Sequence, residues 1–373
     1  MAGIYIHIPF CKQKCTYCDF HFSTTFTAYR EKMIEAIVEE LKTRVNYLGK
    51  QTISTLYFGG GTPSLLTQEE LKLIVETVHQ NYRVEPEIEF TLEANPDDIT
   101  IEQLLMWKAE GVNRLSIGLQ SFLQEDLDWM NRAHSAEESV SAVKLAKEHG
   151  FSLTVDLIYG LPNRTNFDWE YNIEKLVALS PDHISAYCLT VEKRTALYKL
   201  IEKGDLPEVG EDDQSEQFEI LVRKMKESGY QQYEISNFAK EEAYSQHNSN
   251  YWRGVNYLGI GPSAHSFDGE SRRWNVSNNP QYIKGVEEKT NYFEEEILTP
   301  KDMFNELLLT GLRTKWGVNL ELLSFKHCPS KQFYKQLDSF KEFELVNEEE
   351  GVLYLTEKGK LQADHIAAML FLE

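Results

Sequence analysis

The amino-acid sequence predicts an α/β protein, namely a partial (β/α)6 barrel with a smaller C-terminal α+β domain. Short apolar runs alternate with amphipathic helical patterns six times in the first two thirds of the chain. Polar residues stand at the ends of successive predicted strands, and the pattern changes beyond about residue 239. A chain of 373 residues can bury one large core or two moderate ones.

The six predicted strands are short apolar runs, which agrees with burial on both faces of a sheet. They are Ile4–Ile8, Ile53–Phe58, Ile88–Leu92, Leu115–Leu119, Leu153–Ile158 and Ile184–Cys188. Because six strand–helix units follow one another, we expect a parallel sheet with right-handed crossovers.

Helical patterns separate these strands, and the second helix has a clear start. The predicted helices are Thr27–Leu48, one opening at Thr67-Gln-Glu-Glu70, Thr100–Ala109, Ala136–His149 and Trp169–Ala178. Thr67 followed three residues later by Glu70 is a capping-box pattern.

A barrel and an open doubly wound sheet both agree with the order of elements. The residues at the strand ends distinguish the two. Gly59-Gly60-Gly61-Thr62, Glu93, Gln120 and Asp156 all lie at or just after the carboxyl ends of predicted strands. In a barrel these ends converge on one mouth, whereas in an open sheet they spread along an edge. A partial barrel is therefore favoured.

The C-terminal third is predicted to differ from the barrel. Tyr244–Gly269 is rich in Asn, Ser, Gly, His and aromatic residues and indicates a long structured loop. A helix is predicted over Asp302–Thr314, and Leu337–Gly359 indicates helix, turn, strand and turn. We expect domains at 1–239 and 240–373, with a winged-helix-like arrangement as one option for the second.

Charge and hydropathy disfavour several classes of partner and location. Acidic residues outnumber basic ones, 59 to 38, and the net charge of −21 disfavours nucleic acid or an anionic membrane as the main partner. No apolar run approaches the roughly 20 residues that a membrane span requires. The N-terminus shows no signal-peptide pattern. We therefore expect a cytoplasmic protein.

Three of the five cysteines, Cys11, Cys15 and Cys18, fall within eight residues. In a reducing compartment such a group indicates a metal site rather than disulfides. A structural zinc site needs a fourth protein ligand, which the flanking residues do not supply in the usual spacing. Three thiolates suit a [4Fe–4S] cluster with one open iron. Cys188 and Cys328 are interpreted as small buried hydrophobic residues.

The segment from Tyr5 to Cys18, with Gly59-Gly-Gly-Thr-Pro63 and the six strand–helix units, resembles radical S-adenosylmethionine (SAM) proteins. The similarity is to the oxygen-independent coproporphyrinogen III oxidase family and spans almost the whole chain. It implies that the three cysteines bind three irons and that SAM binds the fourth. It also implies that an electron from the cluster cleaves the sulfonium and releases a 5′-deoxyadenosyl radical.

The same resemblance implies which residues contact SAM. The glycine segment would meet its methionine amino and carboxylate groups, Tyr5 would lie beside it, and Tyr17 would pack on the adenine. In the oxidase some of the further contacts belong to a second SAM. The residues implied are Tyr5, Tyr17, Gly60, Gly61, Thr62, Glu93, Gln120, Arg132 and Asp156.

Two departures separate this chain from the oxidase. The oxidase has a further cysteine two positions after the third, where this chain has Phe20, and it has a long extension before its cysteines. Both features resemble the HemW-type haem chaperones instead. The segment His247-Asn-Ser-Asn-Tyr251-Trp252 is similar to the His-Asn-x-x-Tyr-Trp segment of that family, which implies His247 as a haem ligand. His265 is a weaker alternative ligand.

The resulting hypothesis is a haem chaperone that binds a [4Fe–4S] cluster, SAM and haem and delivers haem to client proteins. Membrane-bound respiratory enzymes are one class of client, and a homodimer is one option for assembly. The alternative is an enzyme of porphyrin biosynthesis that decarboxylates coproporphyrinogen III to protoporphyrinogen IX. A structural zinc or iron–sulfur protein without SAM chemistry is a third reading.

Overall fold

Six parallel strands form the centre of the protein, whose computed structural model describes residues 1–372. They are β1 (Ala2–Ile8), β2 (Ile53–Gly60), β3 (Val84–Ala94), β4 (Arg114–Gln120), β5 (Ser152–Tyr159) and β6 (His183–Cys188). Each strand pairs in parallel with the next one along the chain. All six predicted strands are therefore confirmed.

Helices follow the strands and cover the outside of the sheet. They are α1 (Arg30–Thr43), α2 (Gln68–Asn81), α3 (Ile101–Ala109), α4 (Gln124–Trp129), α5 (Ala136–Glu148), α6 (Asn166–Leu179), α7 (Ala196–Glu202) and α8 (Glu211–Glu227). The capping box at Thr67 and Glu70 is confirmed. The helix predicted over Thr27–Leu48 is shorter, because Thr27–Tyr29 forms a separate 3-10 turn.

The region beyond α8 extends the central sheet at both of its edges. Its elements are β7 (Gln231–Glu234), β8 (Asn237–Ala239), α9 (Gln246–Trp252), β9 (Tyr257–Ile260), β10 (His265–Phe267), β11 (Ser271–Asn275), α10 (Asn279–Glu288) and β12 (Phe293–Ile297). The strand order is β12-β11-β10-β9-β1-β2-β3-β4-β5-β6-β8-β7. Since β1 pairs with β9 and β6 pairs with β8, the parallel strands form a partial barrel.

The prediction of a long loop over Tyr244–Gly269 was wrong. This stretch contains α9, β9 and β10, and β9 pairs in parallel with β1. Leu258 and Ile260 of β9 are fully buried in the main hydrophobic core. The strand is only four residues long and lies among polar residues, so its pairing depends on long-range contacts with β1.

Alternation along the strands places apolar side chains outside the barrel and polar ones inside it. On β1, Ile4, Ile6 and Ile8 are fully buried in the hydrophobic core, where α1 and α2 also contribute side chains. Tyr5 and His7 line an interior cavity instead. The interior face can therefore carry a polar binding site without disturbing the core.

The last part of the chain has a hydrophobic core of its own. Its elements are α11 (Pro300–Leu312), β13 (Val318–Asn319), α12 (Leu320–Lys326), α13 (Lys331–Glu342), β14 (Val346–Glu349), β15 (Val352–Leu355), α14 (Glu357–Lys360) and α15 (Ala363–Leu370). Phe304, Leu337 and Leu353 belong to this second cluster. Cys328 is exposed and Cys188 is only partly buried, so the prediction that both are buried was wrong. Three helices followed by a hairpin agree with the expected winged-helix-like arrangement. The division into 1–239 and 240–373 stays a prediction, since β9–β12 continue the central sheet.

Candidate functional site: two adjoining cavities in the barrel

The three clustered cysteines lie on the loop that follows β1, and all three line one cavity of about 520 Å³. The ends of this loop are fixed by two backbone hydrogen bonds, from Cys11 N to Ser23 O (3.1 Å) and from Ser23 N to Pro9 O (2.9 Å). Phe10 is fully buried beneath the loop, and its ring stacks on Phe26 at 4.5 Å. The loop therefore holds the thiols over the mouth of the barrel.

Two side chains donate hydrogen bonds to the cysteine sulfurs. Thr62 Oγ1 donates to Cys11 Sγ at 3.4 Å, and Arg132 Nη1 donates to Cys15 Sγ at 3.4 Å. Burial raises the pKa of the Cys11 and Cys18 thiols to about 11. Binding a metal requires thiolates, so loading this site releases protons.

The three thiols supply the donor set of an iron–sulfur cluster. Within residues 1–372, no three His, Cys, Asp or Glu side chains are placed to bind one metal ion. In an iron–sulfur cluster each thiolate binds a different iron, so three thiolates leave one iron of a [4Fe–4S] cluster open. Because Cys11, Cys15 and Cys18 lie on one loop and line one cavity, they fit such a cluster.

The glycine segment at the end of β2 packs too closely for side chains. Gly60 has φ +105°, and a Cβ there would lie 2.5 Å from the His7 ring. A Cβ on Gly61 would lie 2.6 Å from the carbonyl oxygen of Phe10. Glycine at these positions lets the segment pack against β1 and the cysteine loop while it lines the cavity.

Two carboxyl groups face the first cavity from neighbouring parts of the barrel. Glu93 accepts hydrogen bonds from Tyr57 Oη (2.9 Å) and from Gly60 N (3.1 Å). Asp156 accepts one from Ser116 Oγ at 3.3 Å. Burial, the largest cause, raises the pKa of Glu93 to about 7 and that of Asp156 to about 6. A cationic ligand would favour the charged form of both.

Arg132 connects the cysteine loop to β4. Besides Cys15, it donates from Nη2 to Asn95 Oδ1 and to Gly118 O, each at 2.8 Å. Gln120 has φ +70°, next to an irregularity in the pairing of β4 with β5, and this turns its side chain toward the same cavity.

The structure brings most of the predicted SAM residues together. Eight of the nine predicted residues line the first cavity, namely Tyr17, Gly60, Gly61, Thr62, Glu93, Gln120, Arg132 and Asp156. Tyr5 lies on the adjoining cavity instead, with its ring 6.0 Å from that of Tyr57. The roles of all these residues stay predictions.

A second cavity, of about 1080 Å³, adjoins the first one. Residues of β1 and β2 line it on one side, and Asn237 of β8 lines it on the other, so it opens between the two edges of the parallel strands. Phe20, Tyr57 and Glu93 line both cavities and form a shared wall. Phe20 is 71% exposed, which leaves an apolar ring available to a ligand.

His247 lies on α9 and lines this second cavity. Its Nδ1 is 2.9 Å from Thr55 Oγ1, and its ring centroid is 4.9 Å from that of Tyr57. Burial lowers the pKa of His247 to about 4, so its imidazole is neutral at neutral pH. A neutral imidazole can bind a metal through Nε2.

Three other histidines have different surroundings. His265 lines the same cavity from β10, is exposed, and stacks on Trp274 with ring centroids 6.1 Å apart. His7 contacts the His21 carbonyl oxygen at 2.8 Å, and His21 Nε2 lies 2.7 Å from Asn279 Oδ1. These contacts tie His7 and His21 to the surrounding structure.

Four residues of the site were missed by sequence reasoning: Thr55, Tyr57, Glu89 and Asn95. The sequence does contain a pattern that could have identified Thr55 and Tyr57, because both alternate with apolar residues on β2. Glu89 likewise alternates with Ile88 and Phe90 on β3. Such alternation predicts a polar inner face only once the strand is known to belong to a barrel.

Comparison with known proteins agrees with this geometry. Residues 5–176 match the family model of the radical SAM superfamily. The chain is 34% identical to "Heme chaperone HemW" of Bacillus subtilis (strain 168) over 98% of both chains. It is 33% identical to "Radical S-adenosyl methionine domain-containing protein 1, mitochondrial" of Mus musculus, over 94% of this chain and 80% of that one.

A solved structure is also similar over nearly the whole chain. Coproporphyrinogen III oxidase (HemN) from Escherichia coli, a radical SAM enzyme, superimposes with a TM-score of 0.87 over 99% of this chain and 90% of that chain. At 24% identity this similarity establishes the fold alone. Among the described residues, no helix combines the length and apolarity needed to cross a membrane. On its fold and its full-length similarity, this chain belongs to the HemW family of radical SAM proteins.

Proposed function

We propose that this protein is a haem chaperone, which holds haem in the second cavity and delivers it to client proteins. The observation that carries the proposal is the neutral imidazole of His247 on a cavity of about 1080 Å³ beside the cysteine-lined one. The name of the Bacillus subtilis relative, "Heme chaperone HemW", supports it.

The first cavity would hold the cluster and SAM. Cys11, Cys15 and Cys18 would bind the [4Fe–4S] cluster, which when bound supplies an open iron and an electron. Thr62 and Arg132 already donate hydrogen bonds to the sulfurs and would stabilise the thiolates. The other residues predicted for SAM would bind and orient it.

The carboxylates fit the charge of SAM. Its ammonium and sulfonium groups are cationic, and Glu93 and Asp156 lie in a cavity where burial alone disfavours their charged forms. An opposite charge nearby would reverse that preference. Tyr17 offers an aromatic face for the adenine, as expected for its position in the cysteine loop.

The second cavity fits a flat apolar ligand that carries a metal. His247 would bind the iron through Nε2, and the rings of Phe20, Tyr251 and Trp252 line the same space. Arg194 and Arg272 also line it and could meet carboxylate groups of the ligand.

Delivery requires protein partners. We propose haem-requiring client proteins, with membrane-bound respiratory enzymes as one class, and a homodimer as one form of the protein. The open side of the barrel gives the bound haem a route to a partner, because the cavity lies between the strand edges rather than inside a closed barrel.

An anaerobic haem titration of the wild type, His247→Ala and His265→Ala tests the proposal. His265→Ala is the comparison variant, since His265 is the alternative ligand and lines the same cavity. We expect saturable binding by the wild type and His265→Ala, and a shifted Soret band with weaker binding by His247→Ala. A wild type without a saturable Soret change would overturn the proposal.

Incubation of the reconstituted protein with coproporphyrinogen III, SAM and a reductant distinguishes the chaperone from the oxidase. Phe20 stands where the oxidase has a further cysteine, so we expect no protoporphyrinogen IX. Formation of that product under anaerobic conditions would favour the enzyme.

A further inference from the structure

His247 rests on a row of three residues that lie side by side on neighbouring strands. Gly3 of β1 pairs with Thr55 of β2, and Thr55 pairs with Glu89 of β3. All three contact or approach α9, the short helix that carries His247. The three residues therefore form the surface on the inner face of the sheet against which this helix packs.

Glu89 holds the first turn of α9. Its carboxylate accepts hydrogen bonds from Gln246 N at 2.9 Å and from His247 N at 2.8 Å. Glu89 is 9% exposed, and within residues 1–372 no lysine or arginine forms an ion pair with it. Its charge is met by these two backbone groups, which fixes the position of the His247 backbone.

Thr55 holds the ring of His247. An imidazole that binds iron through Nε2 keeps its proton on Nδ1, and that proton needs an acceptor. Thr55 Oγ1 lies 2.9 Å from Nδ1 and supplies it. The hydrogen bond fixes the ring orientation, and the hydroxyl can accept the Nδ1 proton when Nε2 binds iron.

Gly3 provides the space for this pair. A Cβ on Gly3 would lie 2.7 Å from Thr55 Oγ1 and 3.3 Å from the His247 ring. Any side chain at this position would therefore displace the hydroxyl, the imidazole or both.

We propose that Thr55 and Glu89 are positioning residues for haem, which set the side chain and the backbone of His247 for iron binding. This inference depends on the proposed function and on His247 as the ligand. It adds that the ligand is preorganised by the barrel strands, so haem affinity depends on residues that do not touch haem.

Haem titration of Thr55→Val and Glu89→Gln tests this inference, each with a matched control. Thr91→Val makes the same change one row further along the inner face, where the hydroxyl is buried without a partner. Glu87→Gln makes the same change at an exposed position of β3. Cluster absorbance and its perturbation by SAM report on correct folding of each variant.

We expect Thr55→Val and Glu89→Gln to weaken haem binding roughly 10-fold to 100-fold, the range typical of residues that orient a metal ligand. Their Soret bands should shift toward that of His247→Ala, while both controls stay like the wild type. Weaker haem binding by these variants with an unshifted Soret band of the bound haem would indicate a purely structural role and would overturn the inference.

Two further outcomes separate this inference from the proposed function. If His247→Ala loses the wild-type spectrum while Thr55→Val and Glu89→Gln keep it, the positioning role is wrong and the chaperone proposal stands. If the wild type binds haem and His247→Ala is unchanged, the ligand and its positioning are both wrong.

Discussion

Glu93 offers a quantitative test of the electrostatics of the first cavity. Its pKa is raised from 4.5 to about 7, chiefly by burial. The pKa of Glu93 is higher in the folded state than in the unfolded state, so the protonated carboxyl favours folding. This contribution to the free energy of unfolding is fully present below about pH 4.5 and is lost as the pH rises through about 7. At neutral and higher pH the charged carboxylate therefore destabilises the ligand-free protein.

Glu93→Gln removes this charge and keeps the hydrogen bonds. The amide oxygen can accept from Gly60 N, and the amide nitrogen can donate to Tyr57 once its hydroxyl rotates. A pKa difference of about 2.5 corresponds to about 3.4 kcal/mol at pH 8 and about 1.4 kcal/mol at pH 5.5. The variant should therefore gain about 2 kcal/mol more stability at pH 8 than at pH 5.5.

The assay is urea denaturation of cluster-free, SAM-free protein at the two pH values. Glu87→Gln, an exposed change on the same strand, should alter the free energy of unfolding by less than about 0.5 kcal/mol at both. The same Glu93→Gln change should weaken SAM binding roughly 10-fold or more, since a carboxylate that meets a cation is lost. A stability gain that is equal at pH 5.5 and pH 8 would refute the electrostatic reasoning.

Three further predictions concern the cluster, the glycine segment and the core. Cys15→Ala should lower the iron and sulfide content of the reconstituted protein to near zero, because two thiolates hold a four-iron cluster poorly. Unchanged iron content would exclude Cys15 as a ligand. Gly60→Ala should keep the cluster and weaken SAM binding more than 10-fold, since its Cβ would lie 2.5 Å from His7. Paramagnetic resonance of the reduced cluster measures this, and a wild-type response to SAM would contradict it. Trp107→Ala, at a fully buried position, should cost about 3–5 kcal/mol of stability in urea denaturation, and a loss below 1 kcal/mol would contradict that packing.

The barrel could be predicted from the sequence because its signals are local. Each of the six strands is a short apolar run, and Thr67 with Glu70 marks the start of α2 by itself. The three cysteines and the glycine segment are contiguous motifs, so their place after β1 and β2 follows from the strand order. Their convergence on one cavity is then a consequence of parallel strands.

The residues that position His247 could not be predicted, because their proximity depends on the register of the sheet. Gly3, Thr55 and Glu89 are separated by more than 30 residues in sequence and become neighbours only through strand pairing. The stretch that carries His247 is polar, and its helix is held by Glu89 from a distant strand. Propensity alone therefore favoured a loop there.

Transfer of haem to a partner tests the central claim most directly. Haem-loaded protein is mixed anaerobically with haem-depleted respiratory membranes or, in parallel, with apomyoglobin as a passive scavenger, and loss of its Soret signal is followed. A chaperone hands haem over by contact, so the rate should rise with membrane concentration and exceed the scavenger rate. A rate equal to that of the scavenger at every membrane concentration would mean spontaneous release and would contradict the chaperone function.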